Sequence, residues 1–145
     1  MKRIQIAHRR GAAVLVAPLQ GPVTLDRVSA AKADDVDAVA SAIQQALKDV
    51  PASSDGWERL DYSRSPFQKF ENIRRIDEFE KNLRLMMLSQ TESQYGLKRF
   101  VPYPGQRRGF AIDKNWENSF SLSTPFSEIA IAVVRALADD TWETR

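Results

Sequence analysis

Residues 124–140, TPFSEIAIAVVRALADD, read as a helix that no protein surface can carry, because its centre from Ile129 to Leu137 is apolar on almost every side except at Arg135. Such a helix must be covered, and full burial of each Ile, Val or Leu contributes about 1.5 to 3 kcal/mol. Thr124 fits an N-cap and Pro125 the first helical position. Cover is available at the other end of the chain. KRIQIA alternates apolar and polar side chains, and AAVLVAPL adds a second apolar run beyond Gly11. The two read as a hairpin with His8 to Gly11 as its turn, and Pro18, Gly21 and Pro22 stop the second strand.

Between these ends the spacing changes twice. From Ala33 to Val50 the apolar residues Val36, Val39, Ala40, Ile43, Ala46, Leu47 and Val50 recur at helical intervals. Asp34, Asp35 and Asp37 sit where carboxylates meet the positive end of the helix dipole, and Pro51 ends the helix. Residues 51–66, PASSDGWERLDYSRSP, have the composition of a loop. From Phe67 to about Leu88 the apolar positions again suit one helix face. Opposite charges four apart, Glu71 with Arg75, Arg74 with Glu78, Asp77 with Lys81 and Glu80 with Arg84, line the other face. Beyond Gly96 the stretches LKRFVPY, RGFAID and NSFSLS read as strands, with Pro102 and Pro104 placing the first at an edge or ending it there. The expectation is a single α+β domain over residues 1–145: an antiparallel sheet of about five strands packed with about three helices.

The 145 residues contain no cysteine and one histidine, which excludes disulfides, thiolate metal sites and multi-histidine metal sites. No stretch approaches the roughly 18 consecutive apolar residues of a membrane helix, so no membrane partner is expected, and the absence of cysteine makes a cytoplasmic protein the expectation. No phosphate-binding loop, dinucleotide fingerprint, HExxH zinc motif, GxSxG elbow or EF-hand loop is present. The expectation is therefore no catalytic residue, no cofactor and no metal. Any pair of the 19 acids could in principle serve a carboxylate-dependent hydrolase, but the sequence nominates none.

Charge is distributed unevenly despite a net charge of +2. Asp26 to Tyr62 carries a net −4, and Arg64 to Lys114 a net +5. In the acidic part, Asp55, Trp57, Glu58, Asp61 and Tyr62 combine aromatic area with carboxylate steering, the mixture of a protein contact, with a core-capping Trp57 as the competing reading. In the basic part, KRFVPYPGQRRGF offers Lys98, Arg99, Arg107 and Arg108 for phosphates and Tyr103 for base stacking, the alternative of a small nucleic-acid-binding module. Its spacing does not match the RNA-recognition-motif consensus, and basic residues also protect a strand edge.

Three segments resemble the immunity proteins of bacterial contact-dependent growth inhibition systems: ALKDVPAS (Ala46 to Ser53), QYGLKRFV (Gln94 to Val101) and PFSEIAIAVVRAL (Pro125 to Leu137). They match in order and approximate spacing and cover about a fifth of the chain. The resemblance implies a small cytoplasmic α+β protein, not an enzyme, that binds the C-terminal toxin domain of a cognate secreted effector, often a nuclease, and blocks its active site. For a basic toxin, recognition then falls to the acidic 26–62 region.

Overall fold

The computed structural model describes residues 1–52, 65–105 and 109–145. Its elements run β1 (Lys2–Arg9), β2 (Val14–Gln20), β3 (Val23–Thr24), β4 (Ser29–Ala31), α1 (Val36–Asp49), α2 (Pro66–Glu71), α3 (Ile76–Glu80), β5 (Leu83–Gln90), β6 (Gln94–Pro102), β7 (Phe110–Ser121) and α4 (Phe126–Ala138). The strands form one antiparallel seven-stranded sheet in the order β3-β2-β1-β5-β6-β7, with β4 also pairing on β2. The α+β expectation holds, with more strands than the five expected.

The two faces of the sheet are filled by different layers. On one face Ile4, Ile6, Val14, Val16, Met86, Leu88, Tyr95 and Leu97 form the main core with α1 and α4, which pack side by side. On the other, Ala7, Leu15, Ala17 and Leu83 are covered by Phe67 of α2, Phe79 of α3 and Ile73 between them. β1 therefore buries both of its faces, and so does β2. α1 follows its sequence closely. The Asp35 carboxylate accepts the Ala38 N–H at 3.0 Å as N-cap, Asp37 lies in the first turn, and the helix ends at Val50 before Pro51.

The long helix expected from Phe67 to Leu88 does not form. Two short helices and a central strand take its place, because Asn72 and Asn82 both adopt left-handed backbone at φ 57°. Asparagine tolerates that conformation; Asn72 is the C-cap of α2, whereas α3 ends on the extended Lys81 with Asn82 just beyond it. The Asn72 N–H bonds back to the Gln68 and Lys69 carbonyls, closing α2. Residues 83–90 then pair with β1 along their whole length, and residues 86–90 pair with β6 as well. Leu and Met favour helix, but a full ladder with β1, a partial one with β6 and a buried Leu83, Met86 and Leu88 outweigh that preference. The expected charge pairs four apart are consequently absent. Glu71 pairs instead with Arg9, Arg75 with Asp77 at 2.9 Å, and Glu80 with Arg145 at 2.6 Å.

Smaller corrections follow from pairing. His8 is no turn residue; it lies in β1 opposite Arg84, and the turn begins beyond Arg9. Pro18 does not stop β2, which continues to Gln20, whereas Pro102 does end β6. The two strands expected from RGFAID and NSFSLS are one, β7, which runs unbroken from Phe110 to Ser121. The N-cap of α4 is Pro125 rather than Thr124, with no side-chain cap. Ile131 of α4 is 37% exposed, so this helix is not covered on every side.

Candidate functional site

β7 is the edge of the sheet and is irregular at its centre. Lys98 of β6 pairs with Glu117 and Phe100 with Ile112, so a single residue, Arg99, faces the four residues from Asp113 to Trp116. The result is a bulge, closed by the Asn115 N–H donating to the Asp113 carboxylate at 3.0 Å. Bulges re-aim side chains, and this one turns both Asp113 and Trp116 towards Arg99. Arg99 Nε donates to Asp113 Oδ2 at 2.8 Å, and its guanidinium lies 5.6 Å from the Trp116 ring centre. From the other side Trp142, beyond α4, stacks at 5.2 Å, and Arg99 Nη1 donates to Thr141 Oγ1 at 2.9 Å. The Arg99 guanidinium holds the Asp113 carboxyl below its ordinary range, with the Asn115 N–H adding to the effect.

Arg84, on the neighbouring strand β5, extends the stack. Its guanidinium lies 5.6 Å from the Trp142 ring and donates to the carbonyls of Leu137 at 2.5 Å and Asp139 at 2.7 Å. A cation on the last carbonyls of a helix complements the negative end of its dipole, so Arg84 caps α4 from the sheet. Trp142 Nε1 donates to the Ala136 carbonyl at 2.7 Å. The Asp139 carboxylate accepts the Thr141 N–H at 2.8 Å, and the bonds from Thr141, first from its N–H and then from its hydroxyl, lower the Asp139 pKa. Two tryptophans and two arginines thus fasten residues 139–142 to the sheet.

Beside this stack a shallow groove of about 270 Å³ runs between β7 and α4. Trp116 and Asn118 line it from the strand, and Ala132, Arg135, Ala136 and Asp139 from the helix. Arg135 and Asp139 are its charged lining residues, Arg84 and Arg99 lie near enough to lower the Asp139 pKa, and Arg99 is paired with Asp113, so these three cations and two carboxylates leave a positive balance.

The residues expected from sequence fall as follows. Asp55, Trp57, Glu58, Asp61 and Tyr62 lie outside the described residues, as do Arg107 and Arg108. Lys98 and Arg99 point to opposite faces of β6, since neighbours on a strand alternate. Lys98 faces Met87 and Glu117 on the second face, while Arg99 is engaged by Asp113 and the two indoles. Tyr103, 44% exposed, sits just past β6 and packs on Gly109. The three described members of the basic set therefore do not share one surface. Sequence reasoning passed over Trp116, Trp142, Asp113 and Arg135. The available signal was two tryptophans outside every stretch read as a strand or helix, with no core position assigned to either.

Among the described residues no group of His, Cys, Asp or Glu is arranged to hold a metal ion, and no helix is long and apolar enough to cross a membrane. His8 is half-buried with Nδ1 unpartnered, and burial pushes its pKa below 6.5.

The sequence matches no family model and no curated protein. Among solved structures, one with an uncharacterised role shares the fold. It is a protein of unknown function, NMB0488 from Neisseria meningitidis, with a TM-score of 0.62 at 12% identity, covering 94% of this chain and 93% of that one. At that identity the likeness describes the fold alone.

Proposed function

We propose that this chain is an immunity protein that binds and neutralises the C-terminal toxin domain, a nuclease, of a cognate contact-dependent growth inhibition effector. The observation that carries the reading is where the three family-like segments lie. ALKDVPAS ends α1, QYGLKRFV is most of β6, and PFSEIAIAVVRAL is α4. Ala46 and Leu47, Tyr95 and Leu97, and Ile129, Ala130, Val133, Ala136 and Leu137 all belong to one packed core. Segments far apart in sequence that resemble one family therefore build one scaffold, which supports treating the resemblance as a single feature.

On this reading the chain acts in the cytoplasm, uses no cofactor and performs no chemistry on its partner. Its surface does the work. Asp26, Asp34, Asp35 and Asp37 are exposed on and before α1, and the Asp55 to Tyr62 segment follows. Carboxylates of this kind steer a cationic toxin and occupy positions taken by phosphates in its cleft. The test begins with the gene immediately upstream, where a large secreted effector ending in a toxin domain is expected; that domain is expressed with and without this chain, alongside calorimetry on the purified pair. Restored growth and a 1:1 complex are expected. Loss of growth despite full expression of this chain would overturn the reading, and submicromolar, sequence-selective RNA binding at physiological salt would favour the nucleic-acid module instead.

A further inference from the structure

The outer side of β7 has no partner strand among the described residues. Alternate residues of an edge strand turn their N–H and C=O outward, and proteins normally blunt such edges with bulges or charge. Here the bulge at Asp113 to Trp116, with Lys114 exposed, interrupts the first half of the strand. The second half, Glu117 to Ser121, keeps an unbroken register with β6 from Lys98 to Gln94. An outward ladder is therefore left intact over five residues.

That stretch lies beside the groove between β7 and α4. A strand added outside β7 would sit about 4.8 Å away, and every second side chain would point to the face that carries α4. Those side chains meet Ala132 and Ala136 as an apolar floor, with Trp116 and Asn118 on the strand side. The charge of the site selects among strands. Arg135 is exposed and makes no ion pair among the described residues, while Asp113 is engaged by Arg99 and Asp139 by the Thr141 N–H. The unanswered charge is positive, and it calls for a carboxylate. A second copy of β7 brings a like-charged Arg135 to the contact, and its Glu117 lies opposite Lys98 on the other face of the sheet, so it offers the groove no carboxylate.

We propose that Glu117 to Ser121 is a docking edge for an extended, carboxylate-bearing segment of the toxin domain, which adds as a strand to the sheet and seats alternate side chains in the groove beside α4. This rests on the immunity reading and gives it a second contact, separate from the acidic 26–62 region.

The test is amide hydrogen exchange on the full chain, alone and with the catalytically inactivated cognate toxin domain. Strand addition slows exchange at least tenfold at alternate amides from Glu117 to Ser121, a pattern that plain coverage does not produce. Ala132→Glu, which fills the groove in a helix-compatible position, and Arg135→Glu, which reverses its charge, should each weaken the complex at least tenfold without lowering the melting temperature by more than a few degrees. A toxin that binds while 117–121 exchanges as before, or binds both variants as tightly as the parent chain, overturns the docking edge and leaves the immunity reading standing. Protection of 117–121 that grows with protein concentration and without toxin gives the edge to a second copy and overturns it too. A toxin that does not bind the parent chain removes both readings together.

Discussion

Replacing Trp142 by alanine should unfold this protein at a much lower temperature, although Trp142 lies beyond the last helix. The ring is 9% exposed and belongs to the main core. Truncating a buried tryptophan costs about 3 to 5 kcal/mol in transfer and cavity terms, and two guanidiniums would lose an aromatic face worth about 0.5 to 1 kcal/mol each at partly exposed sites. These contributions overlap, so about 4 kcal/mol is the working figure. For a chain of this length each kcal/mol moves the melting temperature by about 4 °C, which gives a drop of roughly 16 °C. Trp142→Phe separates the ring from its N–H. The Ala136 carbonyl that loses the indole donor still accepts the Asp139 N–H at 3.2 Å, so no acceptor is stranded. That variant should cost about 1 kcal/mol, or about 4 °C. Calorimetry and urea unfolding with an unchanged m-value measure both. If residues 139–145 merely lie on the surface, the alanine variant will melt within about 4 °C of the parent chain, and the account of the arginine–tryptophan stack as a fastener is wrong.

Stability should fall as the pH drops below 6.5. His8 titrates at 6.5 when unfolded and lower when folded, because burial and the nearby Arg84 charge oppose its protonation. The unfolded chain therefore takes up more protons in that window; the contribution is complete above 6.5 and is lost as pH falls through the folded value. His8→Gln should flatten the pH dependence of the urea midpoint in that range. Gly109→Ala should destabilise by about 1 to 3 kcal/mol, since the backbone sits at φ +90° and a Cβ would come within 2.9 Å of the Tyr103 ring. Gly105→Ala, at φ +69° with open space around it, should cost about 1 kcal/mol, and equal urea midpoints for the two variants would refute the steric part. In the toxin complex Trp57→Ala should speed dissociation and cost about 2 kcal/mol, while Asp55→Asn and Asp61→Asn slow association and weaken its salt dependence. Unchanged kinetics in all three would move the contact away from this segment.

The comparison between α1 and β5 separates what local sequence decides from what it leaves open. α1 is settled within its own residues. Its apolar spacing, the Asp35 cap and Pro51 all act over a few positions, and each favours the same answer whatever surrounds it. The N-terminal hairpin is similar, with an error only in how far the strands run. LRLMMLSQ carries no such local decision, since a continuous apolar run suits a buried helix or a buried strand equally well. It becomes a strand because β1, from the start of the chain, offers it a full ladder on one side and β6, directly after it in sequence, a partial one on the other, and because Asn72 and Asn82 take a backbone conformation that composition only permits. The arginine–tryptophan stack lies further still from the sequence. Arg84, Arg99, Trp116 and Trp142 meet only after the sheet has closed, and Asp113 and Trp116 face Arg99 together only because four residues of β7 stand opposite one of β6. A strand's regular alternation would have sent Asp113 and Trp116 to opposite faces, so no periodicity in the chain announces the stack. The groove and the open edge beside it belong to the same class: they exist because α4 covers part of the sheet and β7 ends it, and relative placement of that kind is fixed by packing between distant segments rather than by any one of them.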